Sequence, residues 1–232
     1  LVSMLESRDG LGLRAGTPVM VMDAAGGVMT VASARERPVH TVLSGPAGGV
    51  VAASHVAAAC GVADLITMDI GGTSTDISLI RGGRPAVTRE ARLGEMPIRL
   101  PVVNINAIGA GGGSIAWIDD GGALRVGPHS AEAVPGPACY RRGGTEPTVS
   151  DANLVLGRLG AETLLGGDMT LDIEAARSVI RERIAGPLGI DLVEAAAGIL
   201  RVAHANIVRG VRVVSVERGH DPRDFALVPF GG

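Results

Sequence analysis

Lysine is absent: all 21 basic residues of this 232-residue sequence are arginine. That excludes Schiff-base chemistry and the lysine of a Walker P-loop. The only cysteines, Cys60 and Cys139, are too few for a disulfide framework, and no signal peptide opens the sequence, so a cytoplasmic location is expected. No run of about 18 apolar residues is uninterrupted. The most apolar segment, residues 50–66, carries His55 and Asp64, which argues against a membrane span. A formal charge of -3 and a pI near 6.0 give no electrostatic reason to bind nucleic acid or an anionic bilayer. Histidine and cysteine never fall in H-x-H, H-E-x-x-H or C-x-x-C spacing, so no zinc site is legible.

Glycine is what abounds, with 35 residues, about twice the ordinary share. The glycines cluster without a three-residue period, which excludes collagen and points to loops where the backbone approaches something closely. A hydrophobic content of 46% and a mean hydropathy of +0.33 exclude disorder. The length suits one large domain or two small ones. The sequence opens at Leu1 without Met and stops at Gly231-Gly232, just after an apolar strand, so a piece of a longer protein, truncated at both ends, is expected.

Short strands are expected at 17–22 and 28–32. An alanine-rich helix is expected at 47–60, stopped by Gly61 in the position favoured for a left-handed cap. Residues 64–70 and 75–80 are β-branched and alternate at period two, the pattern of paired strands. Further strands are expected at 84–90, 98–106, 114–119 and 123–126, with Asp119-Asp120-Gly121-Gly122 as a hairpin turn. From about residue 150 helices take over. One is expected near 171–185, and another starts at Asp191 and Glu194, spaced as a capping box, with Leu192, Ala196, Ile199, Ala203, Ile207 and Val211 on one face. A strand returns at 225–230. The pattern is that of an α/β fold with a β-rich part over about 40–150 and a helical part over 151–232.

The densest chemical signal is Asp69-Ile-Gly-Gly-Thr-Ser-Thr-Asp76 between two strands. Gly71 and Gly72 let the backbone pass close to an anion, and turn amides can converge as donors for phosphate. Thr73, Ser74 and Thr75 add hydroxyls. Asp69 and Asp76 bracket the turn and would repel a phosphate unless a cation intervened, which makes Mg²⁺ the expected third party. A hairpin that is merely turned by glycines and capped by aspartates is the alternative. In Gly109-Ala-Gly-Gly-Gly-Ser114 the serine replaces the last glycine of a dinucleotide fingerprint, and a hairpin follows where a helix is needed, so the Rossmann reading fails. Gly111, Gly112 and Gly113 remain candidates for backbone contact with phosphate or substrate, with a plain glycine turn as the alternative.

The stretch MDIGGTSTDISLI resembles the phosphate-binding hairpin of the actin-like ATPase superfamily. More narrowly, LSGPAGGVVAA (43–53), MDIGGTSTD (68–76), NINAIGAGGGSIAW (104–117), PGPACYRRGG (135–144), TVSDANLVLGRL (148–159) and SVERGHDPRDFALVPFGG (215–232) resemble the hydantoinase A / 5-oxoprolinase family, which includes acetone carboxylase subunits. The resemblance implies an actin-like, ribonuclease H-like lobe, incomplete here, that supplies one side of a two-lobed ATP cleft. It implies Gly71, Gly72, Thr73 and Asp76 against the phosphates and Gly231-Gly232 leading toward the adenosine. It also implies a hydantoinase B-type partner subunit and a cyclic amide substrate such as 5-oxoproline, a hydantoin or a related imide.

Asp151 and Asn153 are possible site or supporting residues by the same resemblance, with helix capping as the alternative. Cys139 beside Tyr140 is either a nucleophile or ligand, or a small buried hydrophobe. The leading expectation is ATP-dependent hydrolysis of a cyclic amide through phosphorylation of its oxygen, with Asp69 or Asp76 ordering the metal's water or the nucleophile. A ketone carboxylase subunit and a non-catalytic nucleotide-binding module of actin-like fold are the alternatives. A barrel-type metallohydantoinase is disfavoured because its H-x-H pair and lysine are missing.

Overall fold

The computed structural model describes residues 17–93, 96–160 and 169–231. In chain order the strands are β1 (Met20–Met22), β2 (Val28–Thr30), β3 (Leu65–Ile70), β4 (Thr75–Arg81), β5 (Arg84–Pro85), β6 (Val87–Thr88), β7 (Ala91–Leu93), β8 (Met96–Ile98), β9 (Val102–Val103), β10 (Ile105–Ile108), β11 (Ser114–Ile118), β12 (Leu124–Ser130) and β13 (Ala226–Gly231). The helices are α1 (Val31–Glu36), α2 (Ser44–Ala59), α3 (Val149–Val155), α4 (Ile173–Ile180) and α5 (Leu192–Val214). One sheet has the strand order β10-β4-β3-β13, with β5 also on β4, and the remaining strands pair two by two. The fold is mixed α/β.

The described chain divides into two compact units. The first comprises the described residues up to Thr67, together with Ser78–Ile105 and Arg223–Val228. Its helix α2 buries Ala47, Val50, Ala53 and Ala57, and Gly61 ends it at φ +73, the left-handed position expected. The helix starts at Ser44, three residues before the sequence suggested, because Pro46 falls in the first turn, where its missing N–H removes no bond. The expected strand 28–32 stops at Thr30, whose Oγ1 accepts from the Ser33 amide at 3.1 Å and caps α1 instead. The expected strand 84–90 is broken: the Ala86 amide bonds the Leu79 carbonyl and its own carbonyl takes the Asn104 amide, which leaves β5 and β6 as separate pieces. The same contact divides 98–106 at Asn104.

The second unit comprises Met68–Ile77, Asn106–Pro222 and the described residues from Pro229 on. Asp191 caps α5 by accepting from the Val193 and Glu194 amides at 2.8 and 2.9 Å. One face of α5 then buries Ala195, Ala196, Ile199 and Ala203 against Ile180, Ile184, Ala152, Ala116 and Val126. At Gly210 the helix lies so close to the sheet that a Cβ would stand 2.7 Å from Ile77 Cδ1 and 3.2 Å from Ile108 Cδ1. The expected helix 171–185 is present, but it widens into a π turn at Arg181–Ala185 before a last turn at Gly186–Leu188. The β11–β12 hairpin pairs Ala116 with Val126 and Ile118 with Leu124, and the Asp119 carboxylate accepts from the Gly121 and Ala123 amides in its turn.

Candidate phosphate and carboxylate site

Strands β3 and β4 are neighbours joined by the four residues 71–74, which makes them antiparallel. The Gly71 amide closes the turn on the Ser74 carbonyl at 2.9 Å. The Gly71 and Gly72 carbonyls turn away from solvent: they accept from the Gly112 amide at 3.0 Å and the Gly113 amide at 2.5 Å. A trans peptide unit points its C=O and its N–H in opposite directions. With the carbonyls of Gly71 and Gly72 held on one side, the N–H groups of Gly72 and Thr73 must face the other. Both residues are exposed, and among the described residues the amides of Gly72, Thr73 and Ser74 have no acceptor. Adjacent amides left open in this way form a concavity for an anion.

Gly111, Gly112 and Gly113 have a different part in this geometry. Their amides are already engaged, by Ser114 Oγ at 2.8 Å and by the Gly71 and Gly72 carbonyls, so they hold the hairpin from behind. Glycine is required there, since a Cβ on Gly111 would lie 2.6 Å from the Gly71 oxygen and 2.7 Å from the Gly72 carbonyl carbon. Ser150 braces the loop further, its amide bonding the Gly112 carbonyl at 2.8 Å. Thr75 is fully buried, and its hydroxyl donates to the Ala110 carbonyl at 2.5 Å. Ser114 reads in sequence only as the residue that breaks a glycine fingerprint, and nothing local marks Ser150 as a residue whose amide serves a loop 38 positions away in the chain.

Asp69 and Asp76 sit on the adjoining ends of β3 and β4, both half-buried. Burial raises the Asp76 carboxyl above its ordinary range, and the charge of Asp69 raises it further. Two carboxylates sharing a half-buried edge next to open amides form a donor set that fits a hydrated Mg²⁺, which takes one or two carboxylates and completes its shell with water and phosphate oxygens. Among the described residues no group of three or more His, Cys, Asp or Glu side chains converges on a metal position, so the pair would act alone. Gly231, at φ +95, lies against Asp69, where a Cβ would collide with Asp69 Oδ1 and come within 2.6 Å of the Ile70 oxygen. Gly232 lies outside the described residues.

The other candidates lie elsewhere. Asp151 is fully buried and accepts from the Thr148 amide at 2.9 Å, Thr148 Oγ1 at 2.7 Å, the Cys139 amide at 2.8 Å and the Ala138 amide at 3.3 Å. It completes a capping box with Thr148 and ties α3 to the Ala138–Tyr140 turn. The Asn153 carbonyl takes the amide of Arg158, just past the end of α3, at 2.8 Å. Cys139 is buried, and burial followed by the Asp151 charge pushes its thiol pKa upward, which leaves no thiolate nucleophile at neutral pH. A groove of about 710 Å³ lined by Ile108, Ala110, Trp117, Arg201 and Gly210, among others, contains neither Asp69 nor Asp76. No helix of the described residues is long and apolar enough to cross a membrane.

The sequence profile of the Hydantoinase/oxoprolinase family matches residues 6–232. The chain belongs to this family. Caprolactamase subunit alpha of Pseudomonas jessenii is 47% identical over 220 residues, which cover 95% of this chain and 32% of the relative. The solved structure of the ATP-dependent caprolactamase from that organism has a TM-score of 0.86 at 45% identity and covers 100% of this chain and 33% of that one. A nucleotide-free acetone carboxylase structure, from work on ATP-dependent acetone carboxylation, has a TM-score of 0.87 at 29% identity, over 99% of this chain and 32% of that one. 5-Oxoprolinase 1 of Arabidopsis thaliana is 39% identical over 209 residues, 82% of this chain and 16% of the relative. This hydantoinase/oxoprolinase chain thus spans about a third or less of the length of these relatives.

Proposed function

We propose that the full-length protein is an ATP-dependent hydrolase of a cyclic amide and that this chain supplies its phosphate subsite, in a lobe of actin-like type. The observation that carries the reading is the hairpin itself: open amides at Gly72, Thr73 and Ser74 on the same turn as the half-buried pair Asp69 and Asp76. The amides hold the terminal phosphoryl group of ATP. The raised pKa of Asp76 suits it to take a proton from an attacking water, and Asp69 or both aspartates hold Mg²⁺, which would neutralise phosphate charge. Gly231 brings the chain past Asp69 toward the nucleoside. Gly111, Gly112 and Gly113 serve as the brace of the hairpin, while Asp151 and Asn153 belong to its more distant support.

The chemistry follows from the reluctance of an amide to lose nitrogen. The amide oxygen attacks the γ-phosphorus, and ADP leaves with the electrons of the broken P–O bond. Water adds to the activated carbon, the ring nitrogen leaves as the amine, and a second water releases phosphate from the acyl phosphate. The sum is ATP, lactam and two waters going to ADP, phosphate and the ring-opened amino acid. Identity of 45–47% with a caprolactamase, against 39% or less with ketone carboxylase subunits, supports an amide over a ketone as substrate. Similarity to a protein named as a subunit supports a partner subunit, and the family resemblance implies that it is of hydantoinase B type.

The test is lactam-stimulated phosphate release by the full-length protein with its partner subunit, for wild type and Asp76→Asn. Loss of about 10³-fold is expected from removing a group that acts on the reacting atoms. Wild-type rates in the variant would overturn the role of Asp76. A carboxylated ketone as product would replace hydrolysis with carboxylation, and ATP binding without any turnover would leave a nucleotide-binding module.

A further inference from the structure

Thr75 stands next to Asp76 in the chain, yet its side chain points to the opposite side of β4, as alternation requires. There it is fully buried, and its hydroxyl spans 35 positions of sequence to the Ala110 carbonyl. The sequence suggested a phosphate ligand, but this hydroxyl is spent inside the protein. What it touches is the loop whose next residues, Gly112 and Gly113, grip the Gly71 and Gly72 carbonyls. The direction of the Gly72 and Thr73 amides is therefore not a property of the turn alone. It is imposed by the second glycine loop, and the second loop is attached to the first strand residue after the turn by Thr75.

We propose that Thr75 is a positioning residue: its hydroxyl latches Ala110 to β4, so that Gly112 and Gly113 keep the Gly72 and Thr73 amides aimed at phosphate. This rests on the hairpin being the phosphate subsite. The latch closes a ring of contacts running from Thr75 to Ala110, through Gly112 and Gly113 to the Gly71 and Gly72 carbonyls, and back along the turn to Thr75. Every contact in the ring except Thr75 is made by backbone atoms, so Thr75 is the one member whose side chain can be altered without changing the path of the chain. With the hydroxyl gone, the buried Ala110 carbonyl loses its partner, and the end of the loop at Ala110 shifts toward another donor. The carbonyls of Gly71 and Gly72 would follow, and planarity of the peptide turns the amides away from the anion.

The experiment compares ADP and adenosine affinities by titration calorimetry for the full-length protein and for Thr75→Val and Thr75→Ser. Thr75→Val keeps the branched shape and removes the donor, whereas Thr75→Ser keeps the donor. The expected result is a loss of about tenfold or more in ADP affinity for Thr75→Val, no change for adenosine, and recovery to near wild type in Thr75→Ser. Should Thr75→Val fail to fold, Thr75→Cys, which keeps volume with only a weak donor, carries the same expectation. Wild-type ADP affinity in the donor-less variants, or an equal loss for ADP and adenosine, would overturn the latch. A wild-type protein that binds neither ADP nor ATP would overturn the phosphate subsite itself, and the latch with it.

Discussion

Asp76 and Asp151 are both aspartates of the second unit withdrawn from water, and they meet different company. Around Asp151 the chain has gathered three backbone amides and a threonine hydroxyl, so that the carboxylate is fully buried and fully partnered. Around Asp76 burial and a second carboxylate act together, and both push its pKa up. The first arrangement satisfies a charge where it stands. The second gives the charge no donor among the described residues. In this hub around Asp151, carboxylate and donors end in a closed set of bonds. At the hairpin the donors, the open amides of 72–74, and the acceptors, Asp69 and Asp76, lie side by side without meeting. A phosphate with a divalent cation is complementary to both halves at once. On the proposed reading, the difference separates a structural carboxylate from a functional one.

The largest effect that would break this contrast concerns the hub. Asp151→Ala leaves four buried donors without an acceptor, and a stability loss of about 3–5 kcal/mol is expected from removing one partner of a buried charged network. Thermal melts of the full-length protein read it directly, and a melting temperature equal to wild type would mean that the hub is not held by its carboxylate. Asp151→Asn, which keeps one acceptor oxygen, should fall between the two.

Next in size is the brace. A Cβ at position 111 meets backbone atoms of Gly71 and Gly72 rather than the end of a flexible side chain, so something in the hairpin must move. Overpacking of this kind costs about 1–3 kcal/mol. In Gly111→Ala, ADP affinity should fall by about tenfold, because the carbonyls that orient the amides are displaced. Gly27→Ala, in the first unit, whose added methyl meets nothing within 4 Å, should bind as wild type. Equal behaviour of the two variants would show that the second loop does not set the direction of the hairpin amides.

The hairpin was legible because its information is local. Alternation in 64–70 and 75–80 specifies two strands, and glycines between them specify a turn, so Asp69 and Asp76 could be placed from neighbours alone. Helix α5 was legible for the same reason, through its cap and its periodic face. What stayed hidden depends on contacts between distant segments. Gly111–Gly113 look in sequence like another anion loop, and only the carbonyls of Gly71 and Gly72 reveal that their amides are taken. Thr75 looks like one more hydroxyl beside a phosphate until Ala110 appears 35 residues away. In the first unit, Thr30 reads as the middle of a strand over 28–32, but three residues later Ser33 converts it into a helix cap. Local pattern specifies elements, whereas the spending of a donor or acceptor is decided by the partner that tertiary structure delivers.

The smallest expected effect sharpens the contrast most, because its sign is opposite. Removing the charge of Asp151 destabilises, but removing that of Asp76 should stabilise the nucleotide-free protein, since an uncharged amide of the same shape avoids both the burial cost and the repulsion from Asp69. Asp76 is only half-buried, and solvent screening keeps the gain below about 1 kcal/mol. The pH dependence gives the sign independently. A carboxyl whose folded-state pKa lies above its unfolded value binds protons more tightly when folded, so its contribution to stability is fully present below the ordinary aspartate range, about pH 4, and is lost as pH rises through the raised value. Wild type and Asp76→Asn should therefore melt together in acid and separate toward neutral pH, with the variant the more stable. Mg²⁺ and ATP should reverse the order, because only the wild type gains stability by binding them well. A variant less stable than wild type at neutral pH without nucleotide would mean that Asp76 is already partnered, and the hairpin would then be a second hub rather than a site.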